Sequence, residues 1–193
     1  MNIIRKSKEI VLEAHKNQKR KGSKKPFISH LYTVTEIIET FTKDENLISV
    51  GWLHDLIEDT NYTIEDLKDF PEEILKFISY ETEDKSKSWI NRKREQINHL
   101  KNIPESDKEV LVVAFADKLA NLRELHEGFL KKDIKVFDIF NEKDPEKQFL
   151  YYNSFYNIFL KNKKLFQNNL KLLKEYENIL INIWGRTETN TFL

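Results

Sequence analysis

The chain has 193 residues, with 32 Lys and Arg against 32 Asp and Glu, so its formal charge is zero and electrostatics gives no reason to propose a nucleic-acid partner. It contains no Cys, which removes a disulfide framework, a thiolate zinc site and a cysteine nucleophile together. Aromatic residues make up 12% of it, enough apolar bulk to exclude a disordered chain and to build the core of one domain.

From the N-terminal end, Ile3, Ile4, Ile10, Val11, Ala14 and Gln18 recur at helical spacing, with charges through the first two turns and no apolar signal-peptide core. No apolar run approaches the ~18–20 residues needed to span a bilayer, so the expectation is a soluble cytoplasmic protein with no membrane contact. Gly22 and Pro26 then lie in a basic loop. A second helix is expected from Ser29, a candidate N-cap, through Leu31, Val34, Ile37, Ile38 and Phe41. A third covers about 46–59. Thr63-Ile64-Glu65-Asp66 has the form of a capping box, and Pro71-Glu72-Glu73 reads as a first helical turn. Trp89 to Leu100 carries another helical pattern, and Ser106-Asp107-Lys108-Glu109 reads as a capping box opening an apolar helix to about His126. Two amphipathic helices follow, one from Asp144-Pro145 through Phe149, Tyr152, Tyr156 and Phe159, the other from about Leu165 to Trp184, closed by Gly185. Their aromatics are expected to be packing residues. With four Gly, four Pro and no sustained alternation of period two, the expected class is all-α, a single-domain helical bundle over residues 1–193.

The densest chemistry lies in Leu53-His54-Asp55-Leu56-Ile57-Glu58-Asp59-Thr60. On one continuous helix, His54/Glu58 and Asp55/Asp59 are i,i+4 pairs that share a face. Three acids within five residues repel, and a divalent cation would remove that cost; imidazole with carboxylate suits Mn, Fe or Zn better than Ca. A solvated acidic helix end explains the same residues. Asp117 sits in a helix that is apolar nearly all round, where an unpaired carboxylate is expensive. Adjacent helical positions point ~100° apart, so Lys118 is not expected to neutralise it easily. His30, after Phe27-Ile28, completes an N,N,O,O donor set drawn from three helices, although a lone His there is also an ordinary packing residue.

The order His…His-Asp…Asp resembles the HD-domain metal-dependent phosphohydrolases. The finer stretches resemble the hydrolase domain of the RelA/SpoT alarmone enzymes and the stand-alone small alarmone hydrolases. They are Ala14-His15-Lys16-Asn17-Gln18-Lys19-Arg20-Lys21, Pro26-Phe27-Ile28-Ser29-His30, His54-Asp55-Leu56-Ile57-Glu58-Asp59-Thr60, Asn91-Arg92-Lys93, and Ala116-Asp117-Lys118-Leu119-Ala120-Asn121-Leu122-Arg123. The match spans about residues 5–125, with the helices of about 145–185 expected to pack on it. HDxxEDT between an upstream PF-I-x-H and a downstream ADK-L-x-N-L-R is a far more specific pattern than a bare His-Asp pair.

The resemblance implies an HD-type fold and one Mn²⁺ (or another divalent metal) held by His30, His54, Asp55 and Asp117. It implies that Glu58 and Asp59 position or deprotonate the attacking water, and that Arg20, Lys21, Lys118 and Asn121 contact a nucleotide. The implied reaction removes the 3′-pyrophosphate of (p)ppGpp, giving GDP or GTP and pyrophosphate, in a hydrolase-only form. For the basic loop, solubility alone is an alternative, and a solvated helix face explains Arg92 and Lys93 equally well. His15, His99 and His126 are assigned no metal role. Leu31 stands where relatives often have Pro, Phe27 where Tyr is common, Lys118 where Arg is frequent, and Glu124 where a small hydroxyl residue often helps read the base. These departures leave the metal set intact and guanine specificity open. The alternatives are the same site acting on a modified alarmone, a dNTP or NADPH, or a nucleotide sensor without turnover.

Overall fold

Asn2 lies in extended backbone and its side-chain carbonyl accepts the amide of Arg5 at 3.2 Å, which starts α1 (Ile3–Ala14). In the computed structural model, residues 2–188 are described, and among them eight further helices follow. They are α2 (Ile28–Glu39), α3 (Glu45–Leu53), α4 (Leu56–Asp59), α5 (Glu72–Glu81), α6 (Trp89–Lys101), α7 (Leu111–Lys132), α8 (Pro145–Lys161) and α9 (Leu170–Trp184), with short 3₁₀ segments between several of them. No strand forms among the described residues; Lys19 and Pro26 make one isolated bridge across the basic loop. The all-α expectation holds.

The long α7 is the axis. From Leu111 to Ala120 every residue is buried, as a helix apolar on all sides requires. It packs on α2 and α3 on one side and on α8 and α9 on another. Phe115, fully buried, sits edge-on to Phe41 at 5.7 Å and to Phe159 at 5.2 Å, with Phe166 at 4.8 Å. Phe149, Tyr152, Tyr156 and Phe159 are buried packing residues as expected. Gly185 adopts φ +73° beyond α9, and its amide closes the helix on the Ile181 carbonyl at 2.7 Å.

Several local expectations are corrected. The helix of 46–59 is broken: α3 ends at Leu53, α4 begins at Leu56, and His54 and Asp55 form the joint. Ser29 lies inside α2, where its hydroxyl bonds the Pro26 carbonyl; the cap position is Phe27, without a side-chain hydrogen bond. Ser106 makes no capping box, because residues 105–110 are a 3₁₀ segment following Pro104 and its hydroxyl turns to Asp107 at 2.9 Å. The last helix starts at Leu170 after a 3₁₀ stretch from Lys163. The box at Thr63 and Asp66 does form, and it opens a 3₁₀ turn.

Candidate active site

Three elements deliver the cluster. Early in α2, His30 is buried by the packing of α2 on α7; the α3–α4 joint supplies His54 and Asp55; mid-α7 supplies Asp117. Donor atoms of His30, His54 and Asp117 all lie within 4.8 Å of one another. The His30 Nε2 stands 3.1 Å from Asp117 Oδ1, and the His54 Nε2 stands 3.2 Å from Asp55 Oδ2. Cross distances are 3.6 Å from His30 Nε2 to Asp55 Oδ2 and 3.7 Å from His54 Nε2 to Asp117 Oδ1. His54 and Asp55 sit at the joint between α3 and α4, and both side chains turn to one centre.

The donor set fits a divalent cation. Both Nε2 atoms are buried without a hydrogen-bond partner despite the neighbouring carboxylates. His54 Nδ1 donates a hydrogen bond to the Gly51 carbonyl at 2.9 Å, which directs Nε2 to the cluster. Burial opposes a charge on His54, but Asp55 and Asp117 outweigh it and raise the imidazole well above its usual value. Burial likewise opposes the Asp117 charge, yet Lys118 and the two imidazoles hold that carboxyl well below its usual range. The cluster therefore draws positive charge, from a proton or a metal.

Lys118 corrects the expectation for its neighbour. Its long side chain curls back so that Nζ reaches Asp117 Oδ2 at 2.5 Å, and the cation lies 4.9 Å from the Phe155 ring. Asp117 thus has one oxygen toward the imidazoles and one on a buried ammonium.

The cluster opens into a cavity of about 310 Å³ between the HD joint, α6, α7 and α8, bordered by Asp55 and Asp117, by Glu58 and Asp59, and by Arg20, Lys21, Lys118 and Asn121. His30 lies behind it, 1% exposed. Burial, and then the charges of Glu83 and Asp55, push the Glu58 carboxyl up to about 7. Asp59 is turned to Lys85 at 2.8 Å. Arg20 donates to Asn121 Oδ1 at 2.6 Å and to Glu124 Oε2 at 3.0 Å, and lies 5.5 Å from the Phe27 ring. Asn121 in turn donates to Asp117 Oδ1 at 2.6 Å, which links the basic loop to the cluster. Lys21 reaches Asn141 at 2.7 Å.

Sequence reasoning missed other walls of this cavity. Glu83 accepts Lys93 at 2.5 Å and Arg92 at 3.2 Å, so this basic pair is inside the cavity and not on a solvated face. Glu81 is 5% exposed, with Oε1 unpaired, and burial raises its carboxyl to about 7. Tyr151 and Tyr152 of α8 close the far side. An acid ending an amphipathic helix, and aromatics in a packing stripe, carry no signal that separates them from surface and core.

A family model described as HD domain matches residues 8–142. The chain belongs to the HD domain family. Among curated relatives, this HD protein is 34% identical over 127 residues to the guanosine-3′,5′-bis(diphosphate) 3′-pyrophosphohydrolase MESH1 of Xenopus tropicalis, covering 64% of this chain and 69% of that one. The MESH1 of Drosophila melanogaster is 35% identical over 115 residues, covering 58% and 63%. A GTP pyrophosphokinase of Streptomyces coelicolor is 33% identical over 132 residues, 67% of this chain but 15% of that much longer one. Among solved structures, one reported as a metazoan SpoT orthologue that hydrolyses ppGpp superposes with TM-score 0.73 at 23% identity, covering 94% of this chain and 96% of the other. The structure of lmo0812 from Listeria monocytogenes gives 0.67, also at 23% identity, with 81% and 99% coverage. The HD fold and kinship with stand-alone hydrolases expected from the motifs are borne out.

Proposed function

We propose that this HD protein hydrolyses the 3′-pyrophosphate of (p)ppGpp, yielding GDP or GTP and pyrophosphate, as one hydrolase domain in the cytoplasm. The observation that carries the reading is the convergence of two unpartnered imidazole nitrogens with the Asp55 and Asp117 carboxylates at the end of a cavity lined by Arg20, Lys21, Arg92 and Lys93. The named activity of the MESH1 relatives agrees with it.

His30, His54, Asp55 and Asp117 would hold the divalent ion, with Mn²⁺ the proposed metal because the donors are imidazole and carboxylate without thiolate. When bound, such an ion lowers the pKa of water and offsets negative charge on a phosphoryl group. Glu58 would take a proton from the attacking water on a carboxylate oxygen, a role supported by the burial that tunes it toward neutral pH. Asp59 orients the same water. Arg20 offers a flat cation over the Phe27 ring to a base, and Lys118 balances Asp117 so that the cluster does not repel an anionic substrate.

One observation favours testing a second nucleotide class beside the first: the Arg20 guanidinium is engaged by the Glu124 carboxylate, so the base end of the cavity departs from a purely cationic surface. The deciding assay gives purified protein with Mn²⁺ separate portions of ppGpp, pppGpp, GTP, dGTP and NADPH and identifies the released group. Pyrophosphate with GDP from ppGpp is expected. Turnover of dGTP or NADPH with intact ppGpp would replace the substrate, and no turnover of any would leave a binding protein.

A further inference from the structure

The one-turn helix α4 carries both proposed water-handling acids; fully buried Leu56 anchors its inner side, but its acid-bearing C-terminal end has little support of its own. Its internal support is the Asp59 amide on the Asp55 carbonyl at 2.9 Å and the Thr60 hydroxyl on the Leu56 carbonyl at 2.6 Å. A single turn is not self-supporting, and its last carbonyls lack helical partners. Lys85, more than 20 residues away on the segment between α5 and α6, supplies what is missing. Its Nζ donates to the Glu58 backbone carbonyl, donates to Asp59 Oδ1 at 2.8 Å, and lies 3.7 Å from Glu58 Oε1. One ammonium thus caps the C-terminal end of the turn, where a cation is favoured, and touches both acids.

Two residues earlier, Glu83 points the other way. Its side chain is 4% exposed and accepts Lys93 and Arg92 on the cavity wall. The segment is therefore pinned on the inside by Glu83 and reaches over α4 with Lys85. Asp84 stiffens it between them by accepting the Ser86 amide at 3.0 Å and its hydroxyl at 2.6 Å.

We infer that Lys85 is a positioning residue that clamps the Glu58–Asp59 turn and so fixes the acids over the reacting water without itself touching substrate. The inference rests on the hydrolase reading for its kinetic part. The Lys85 side chain is half exposed, and ion pairs at that exposure add little to folding stability, so its effect falls on the placement of the acids.

The test compares wild type with Lys85→Met and Lys85→Arg at saturating Mn²⁺. For Lys85→Met we expect kcat for pyrophosphate release to fall at least about tenfold, with KM within about twofold, an unchanged melting temperature, and faster amide exchange in residues 56–60. Lys85→Arg, which keeps charge and donors, should restore most of kcat and the slow exchange. Wild-type kcat and exchange in Lys85→Met would overturn the inference. So would a loss confined to KM, which would make Lys85 a substrate contact, or equal losses in both variants. Should wild type release no pyrophosphate, the hydrolase reading falls, while the exchange comparison still decides whether Lys85 holds the turn.

Discussion

As the proposed general base, Glu58 would set the pH behaviour of the site through one side chain. Burial and the charges of Glu83 and Asp55 disfavour its ionised form, Lys93 and Lys85 favour it, and the balance lies near 7. A general base works only when deprotonated, so kcat at saturating metal should rise with pH through this titration and level off above it. A cation at the neighbouring cluster favours the carboxylate and shifts the limb to lower pH, never higher. Glu58→Gln should lose the limb and about 10²–10⁴ in kcat. A pH–rate profile with the same limb and plateau in that variant would remove Glu58 from the mechanism. At this scale the sequence was legible where a polar residue violated its surroundings: Asp117 stood out in an all-apolar helix, and His54-Asp55 among leucines. Lys118 escapes the rule that adjacent Cβ directions diverge because its side chain is long enough to fold back onto Asp117. Glu81, Glu83 and Lys85 went unread because an acid or lysine near a helix end is the commonest surface feature there is.

At the scale of elements, the decisive event is the break between α3 and α4. Continuous apolar spacing from Leu47 to Ile57 conceals it, since no Gly or Pro marks the joint. Helix existence was therefore readable and the boundary was not. The close approach of α2 and α3 places His30 beside His54 and depends on Gly51. A Cβ there would overlap the Cδ1 atom of Ile38, which is itself fully buried and cannot move aside freely. Gly51→Ala should cost about 1–3 kcal/mol, as overpacking usually does, and should weaken metal binding by separating the two imidazoles. Denaturant unfolding together with a metal titration checks both; a variant as stable as wild type, with unchanged affinity, would show that the two helices do not depend on this contact. Ser29 and Ser106 fail as caps because each hydroxyl finds a nearer oxygen, Ser29 the Pro26 carbonyl and Ser106 the carboxylate of its neighbour Asp107.

Across the whole molecule, distant stretches act together because α7 packs against α2 and α3 on one side and α8 and α9 on another. It presents Asp117 to α2 and to the α3–α4 joint on one side, and Phe115 to the aromatic cluster of α8 and α9 on the other. The C-terminal helices do more than cover the motif-bearing part, since Tyr151 and Tyr152 wall the cavity, a role that a stripe of packing aromatics does not announce. If this architecture assembles one divalent-cation site from three elements, the metal must bind once per chain and need each of them. Titrating metal-stripped protein with Mn²⁺ by calorimetry tests it most directly. One ion per chain is expected for wild type, with saturable binding abolished in both His54→Ala and Asp117→Asn; no uptake by wild type, or the same single site in both variants, would contradict it.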